Sequence, residues 1–230
     1  MATHSTSENL QVLYEDNHLL IVNKRAGDIV QGDKTGDTPL SEVVKKYIAK
    51  KYHKPGAVYL GVVHRLDRPT SGIVVFARTS KALTRLNKQF AAREIKKTYW
   101  AVVKNAPPQT KERLVHFLKR NPKQNKSYAH SKEVPDSKKG VLTYQLIKKL
   151  DNYHLLEIEL ETGRHHQIRS QLAFVGSPIK GDLKYGFDRS NKDGSIHLHA
   201  RKLTFIHPVK KEPITVVASP PKDPIWDACI

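Results

Sequence analysis

Gly61-Val62-Val63-His64-Arg65-Leu66-Asp67-Arg68-Pro69-Thr70-Ser71-Gly72-Ile73-Val74-Val75-Phe76-Ala77 is the stretch whose reading decides the fold. Two apolar, β-branched runs, Tyr59–Val63 and Ile73–Ala77, have glycines in or beside them and read as strands. Between them stand His64, Arg65, Asp67 and Arg68, and then Pro69-Thr70-Ser71-Gly72 as turn chemistry. The spacing predicts one carboxylate on a tight connection with guanidinium on either side. A carboxylate in such company is expected to be an anion at neutral pH. From charge and turn residues alone, Asp67 is as readily a turn-capping residue tied to its arginine neighbours, since such pairs are often structural.

The surrounding composition says what this loop works on. The 230 residues carry 40 Lys and Arg against 22 Asp and Glu, a net charge of +18 spread from Lys24 to Lys222. An excess of that size is the footprint of a polyanion binder. No long amphipathic helix with an aromatic face and no lipidation signal supports a membrane surface instead, so nucleic acid is favoured. The one cysteine, Cys229, excludes a disulfide framework, a Cys-rich zinc site and a redox motif. No apolar segment is long enough to span a bilayer, and a cytoplasmic chain acting as a monomer is expected.

Outward from the central stretch, residues 1–10 are polar and expected to be mobile. Val12–Asp16 and Leu19–Asn23 read as strands joined by a turn, followed by Lys24-Arg25-Ala26-Gly27 and a Gly/Asp-rich loop to Thr38. A helix is predicted from Leu40 to about Tyr52, with Leu40, Val43, Val44, Tyr47 and Ile48 on one face. A second helix over Lys81–Arg93 takes Ser80 as its N-cap. Lys96–Val103 is a strand with Tyr99, Ala101 and Val103 on one face. Arg113–Leu118 reads as a short strand, and the basic run Lys119–Ser131 as a solvated loop. Val141–Lys149 and Tyr153–Glu161 form a hairpin. A helix is predicted over 165–175, stopped by Gly176, and Arg169 on its half-apolar face needs a buried anionic partner. Ile214–Val217 closes the chain of strands. His165, His166, His197 and His199 lack the Cys or carboxylate that would complete a metal set, and no metal or organic cofactor is expected.

His64-Arg65-Leu66-Asp67-x-x-Thr70-Ser71-Gly72 resembles the signature of the RluA family of pseudouridine synthases. Lys24-Arg25-Ala26-Gly27 resembles that family's first motif, with Arg25 where proline is common. Lys97-Thr98-Tyr99 resembles its Lys-x-Tyr motif, and Thr162-Gly163-Arg164-His165-His166-Gln167-Ile168-Arg169 its Thr-Gly-Arg-x-His-Gln-x-Arg motif. The resemblance covers about residues 11–218. It implies an α+β pseudouridine synthase fold: a mainly antiparallel bent sheet with flanking helices and a central active-site cleft, as one catalytic domain over 11–230. Many members carry an N-terminal RNA-binding module; with about ten residues ahead of the catalytic domain, a form without it is expected.

The reaction implied breaks the N-glycosidic bond of a uridine in ribosomal or transfer RNA, turns the base and rejoins it to the sugar through carbon. Asp67, Tyr99 and Arg169 are implied as catalytic residues, with Asp67 as the partner of Arg169. His64, Arg65, Lys97, Arg164 and Gln167 are implied as substrate-binding residues. A single well-placed carboxylate suits a reaction that consumes no water, whereas glycoside hydrolysis normally takes two. Two rival classes remain: a non-catalytic basic RNA-binding protein, which leaves Asp67, Tyr99 and Arg169 without a reason, and an RNA hydrolase, which needs a metal-binding carboxylate cluster or an acid/base histidine pair.

Overall fold

A computed structural model describes residues 4–32 and 35–230. The chain groups into two compact units, Met1–Ile95 with Ala200–Pro221, and Lys96–His199 with Lys222–Ile230.

In the first unit, β1 (Val12–Glu15) and β2 (Leu19–Lys24) form an antiparallel hairpin. Its turn is built by the Asp16 carboxylate, whose Oδ1 accepts the backbone N–H groups of His18 and Leu19, each at 2.8 Å. Helix α1 (Leu40–Lys51) follows, then the two-residue strand β3 (Gly61–Val62), the fully buried β4 (Ser71–Ala77) and helix α2 (Ser80–Ala91). Strand β4 pairs antiparallel with β2, from Leu19 opposite Ala77 to Lys24 opposite Gly72. Alternation assigns the two faces: Leu20, Val22, Val74 and Phe76 pack with Leu40, Val44 and Ile48 of α1. Leu19, Ile21, Ile73 and Val75 pack with Ala82 and Leu86 of α2. Helices on both faces are why these strands read as unbroken apolar runs.

The second unit is a five-stranded antiparallel sheet. Its strands are β5 (Lys96–Val103), β6 (Lys111–Asn121), β7 (Lys126–His130), β8 (Lys138–Lys149) and β9 (His154–Leu160), in the spatial order β5-β9-β8-β6-β7. Helix α3 (Gln167–Phe174) lays Ile168 and Leu172 on its core against Ala101, Leu142, Leu156 and Ile158. Gly176, at φ 83°, ends that helix as the spacing predicted. Strand β10 (Leu198–Ile206) then carries the chain into the first unit, where it neighbours β4 and pairs with β11 (Pro213–Val217). The closing helix α4 (Pro224–Cys229), with Asp223 as N-cap, buries Trp226 and Cys229 against Val102 and Leu155 of the second unit.

Two expectations need correction. The basic run Lys119–Ser131 is not a solvated loop: Lys119–Asn121 ends β6 and Lys126–His130 is β7, paired antiparallel from Phe117 opposite His130 to Asn121 opposite Lys126. Helix α2 is capped by Thr79, whose side chain accepts the Ala82 N–H, and not by Ser80, which is its first residue. Near the N-terminus, Asp28 Oδ1 accepts the Ser5 N–H at 3.1 Å and lies 3.2 Å from His4 Nδ1. Residues 1–3 lie outside the described residues. Among the described residues no helix is long and apolar enough to cross a membrane.

Because the cap bond belongs to Thr79, Thr79→Ala should cost about 1 kcal/mol in urea unfolding while Ser80→Ala stays within about 0.5 kcal/mol. Equal losses at the two positions would return the cap to Ser80.

Candidate active site

In the first unit, the turn between β3 and β4 is fixed by backbone bonds. The Thr70 N–H donates to the Asp67 carbonyl at 3.0 Å, and the Gly27 N–H to the Arg68 carbonyl at 2.8 Å. Beneath it lies Lys24, at the end of β2 and 1% exposed. Its Nζ donates to the carbonyls of Arg25 (2.9 Å), Asp28 (2.8 Å) and Arg68 (3.2 Å), so one ammonium ties the Arg25–Asp28 loop to the Asp67 turn. Burial pushes the Lys24 pKa from 10.5 down to about 7, against the pull of the Asp28 and Asp67 carboxylates.

Asp67 itself is half-buried and Arg65 beside it is exposed. Arg68, the other flanking guanidinium, donates to Asp37 at 2.6 Å. His64 Nε2 accepts the Val75 N–H at 3.1 Å and its ring stacks on Phe90, which makes this histidine part of the support of β4. The Gly72 position admits no side chain: φ is 114°, and a Cβ there would lie 2.4 Å from the Ala200 carbonyl oxygen of β10. At Gly72 β4 thus approaches β10 with no room for a side chain between the two backbones.

In the second unit the candidates gather around α3. Arg169 is 4% exposed and Asp182 1%. Arg169 Nε donates to Asp182 Oδ2 at 2.7 Å and Nη2 to Oδ1 at 2.9 Å, a bidentate pair. Its guanidinium also lies over the Tyr185 ring, 5.0 Å from the centroid. A buried anion for Arg169 is present as Asp182, thirteen positions downstream, a residue other than the Asp67 that the resemblance implied. Tyr185 Oη accepts the Ser127 N–H at 2.9 Å and lies 3.0 Å from His166 Nδ1. His166 takes a left-handed backbone, φ 51°, so α3 begins at Gln167 rather than at 165.

Lys97 and Tyr99, on β5, are half-buried, and Tyr99 packs on the second-unit core. A Cβ on Gly163 would lie 3.8 Å from Lys97 Nζ, so the Lys-x-Tyr and Thr-Gly-Arg segments come together. Arg164 is half-buried, and its Nε donates to the Lys139 carbonyl at 3.1 Å. Gln167 is 3% exposed, and its amide is engaged inside the protein. Gln167 Oε1 accepts from Thr162 Oγ1 and the Arg164 N–H, while Nε2 donates to the Val141 carbonyl. Through these bonds Gln167 shapes the Thr-Gly-Arg loop from behind. Among the described residues no group of three or more His, Cys, Asp and Glu is placed to hold a metal ion.

The family model described as RNA pseudouridylate synthase matches residues 18–174. The chain belongs to that family, in its RluA branch. It is 35% identical to ribosomal large subunit pseudouridine synthase D of Xanthomonas campestris pv. campestris, over 96% of this chain and 70% of that protein. It is 34% identical to ribosomal large subunit pseudouridine synthase C of Buchnera aphidicola subsp. Baizongia pistaciae, over 91% of this chain and 67% of that one. Among solved structures, human RNA pseudouridylate synthase domain containing 4 superposes with a TM-score of 0.78 at 22% identity, covering 95% of this chain and 92% of that one. The last likeness establishes the α+β pseudouridine synthase fold.

Within this synthase, sequence reasoning passed over Lys24, Asp182 and Tyr185. Lys24 stood in a motif read only as a resemblance, and Asp182 and Tyr185 in a stretch after α3 to which no role was given. The signal for Asp182 was the need of Arg169 for a buried anion, which the resemblance had assigned to Asp67.

The depressed Lys24 pKa sets a pH dependence. The unfolded chain keeps this proton up to about 10.5 and the folded chain releases it near 7, so between those values the unfolded state binds more protons and stability rises with pH. Urea unfolding of the synthase and of Lys24→Met between pH 7 and 10 should show wild type gaining on the variant. A constant difference would mean that the lysine titrates normally.

Proposed function

We propose that this RNA pseudouridine synthase isomerises a uridine with Asp67 as its catalytic carboxylate, in ribosomal or transfer RNA. The observation that carries the reading is the turn itself: a half-buried carboxylate in the family's His-Arg-Leu-Asp segment, braced from below by a buried ammonium. Asp67 acts as nucleophile at the sugar or uracil, or stabilises charge as the base departs. In either course the N1–C1′ bond breaks and a C5–C1′ bond forms. The C5 proton is lost and N1 gains one, so no water or cofactor enters the balance.

Tyr99 and Arg169 are proposed as partners of Asp67 in catalysis, on the family motifs in which they stand. Tyr99 moves a proton near the sugar or base, and Arg169 holds charge and orientation. Arg65, exposed beside the turn, is proposed to fill the place of the everted nucleotide, with Lys97 and Arg164 on the RNA backbone. With its candidates divided between both units, the whole of residues 11–230 is read as one catalytic domain. The net charge of +18 offsets the cost of base eversion through phosphate contacts and makes binding steeply salt-dependent.

Incubating the protein, without added metal, with RNA tritiated at uridine C5 should release tritium and leave the RNA intact. Shortened RNA would indicate a hydrolase, and neither change a simple binder. Asp67→Asn should abolish release with RNA affinity within about tenfold of wild type, because phosphate contacts supply most of the binding. Wild-type turnover in that variant removes Asp67 from its role. Arg169→Ala leaves Asp182 buried and unpaired, so a loss of about 3–5 kcal/mol in unfolding free energy is expected together with a fall in rate.

A further inference from the structure

Apart from these candidates, the second unit carries a cleft between β7 and the outer face of α3. It is lined by Lys126, Tyr128, Ala129, Ala173, Phe174 and Tyr185 and encloses about 150 Å³. That is too small for a drug-sized ligand, whose sites run to roughly 300–1,000 Å³, and on the scale of one flat ring system. Two of its walls are aromatic side chains left open: Tyr128 is 41% exposed and Phe174 50%. The third ring, Tyr185, is buried and fixed through its hydroxyl by Ser127. Lys126 Nζ stands 5.1 Å from the centroids of both tyrosine rings, holding a positive charge at the cleft.

The hairpin that forms one side has a uniform sign. From Arg113 to Lys132 there are six lysines and arginines and not one Asp or Glu. Lys184 Nζ pins the hairpin tip by donating to the carbonyls of Gln124 and Asn125, at 3.1 and 3.2 Å. Two open aromatic side chains with a cation beside one of them, on a basic hairpin, match a nucleotide in both its parts: the base stacks and the phosphate meets the ammonium. An apolar peptide would leave that charge uncompensated.

We infer that the Tyr128–Phe174 cleft holds an unpaired nucleobase of the RNA substrate, at a residue other than the uridine that is isomerised. The inference rests on the reading of this protein as an RNA-modifying enzyme and adds to it a second point of grip. Stacking in the cleft selects RNA with a looped or bulged base and leaves paired RNA to the phosphate contacts alone.

Fluorescence anisotropy with a short single-stranded oligouridylate and with a blunt RNA duplex of equal length tests it. Tyr128→Ala and Phe174→Ala should each weaken oligouridylate binding about tenfold at fixed salt and leave duplex binding within about twofold. Lys126→Ala should lower the slope of log affinity against log salt by about one for the oligouridylate. On a substrate RNA, Tyr128→Ala should raise KM and leave kcat unchanged. Thermal melting separates loss of fold from loss of contact, and since Phe174 also touches His116, Tyr128→Leu serves where Phe174→Ala melts early. A Tyr128→Trp variant should show its indole quenched by the oligouridylate. Wild-type binding of both RNAs by both alanine variants, or an equal loss for both RNAs, overturns the inference. Absence of tritium release by the wild-type enzyme, with the single-strand loss intact, overturns the enzymatic reading and not the cleft.

Discussion

One ammonium group organises the first unit. Lys24 emerges from β2 into a space with almost no water and finds its partners in the carbonyls of Arg25, Asp28 and Arg68. Burying a cation is costly, and the low pKa of this lysine records that cost. What is gained is registry: two loops that are distant in sequence are tied to the same point, and Asp67 sits on one of them. A water-filled space under the turn would leave its backbone free to choose other conformations. The same logic closes the turn from the other side, where Gly72 lets β4 approach Ala200 more nearly than any side chain allows.

The second unit solves a parallel problem with an ion pair. Arg169 and Asp182 are both removed from solvent and joined by two hydrogen bonds, with Tyr185 stacked on the guanidinium. A bidentate pair fixes direction as well as charge, which a lone lysine does not. Tyr185 extends the restraint: its hydroxyl receives Ser127 from β7 and meets His166 at the entry to α3. The position of Arg169 is thereby set by three elements rather than by its own helix alone.

Much of this was readable in advance where the sequence signal is local. Paired apolar runs located β2 and β4, and the 3.6 spacing of Leu40, Val43, Val44 and Ile48 located α1 and its buried face. The fold and family followed from motifs whose spacing is rigid. The outer end of β6 and the whole of β7 were missed because Lys119–Ser131 offers only Tyr128 and Ala129 among polar and basic residues, too few to show an alternation. The buried partners were missed for a different reason. Nothing near Lys24 in the chain announces that the Arg68 carbonyl will accept its hydrogen bond, and Asp182 reaches Arg169 only once the loop after α3 has folded back. Long-range polar pairs leave no periodicity to read.

The first unit is discontinuous, and this has a consequence for biosynthesis. Strand β4 is made early, but its neighbour β10 lies beyond the whole span Lys96–His199. At a translation rate of ~5–20 residues per second, the ribosome spends roughly five to twenty seconds between completing the two halves of that sheet. During that interval the edge of β4 at Gly72, shaped to receive backbone, stands without its complement, while the intervening segment has everything it needs for its own sheet except α4. The nascent chain therefore has to finish its interior before its beginning, and the exposed strand is the place where a chaperone, or a misplaced neighbour, would first bind.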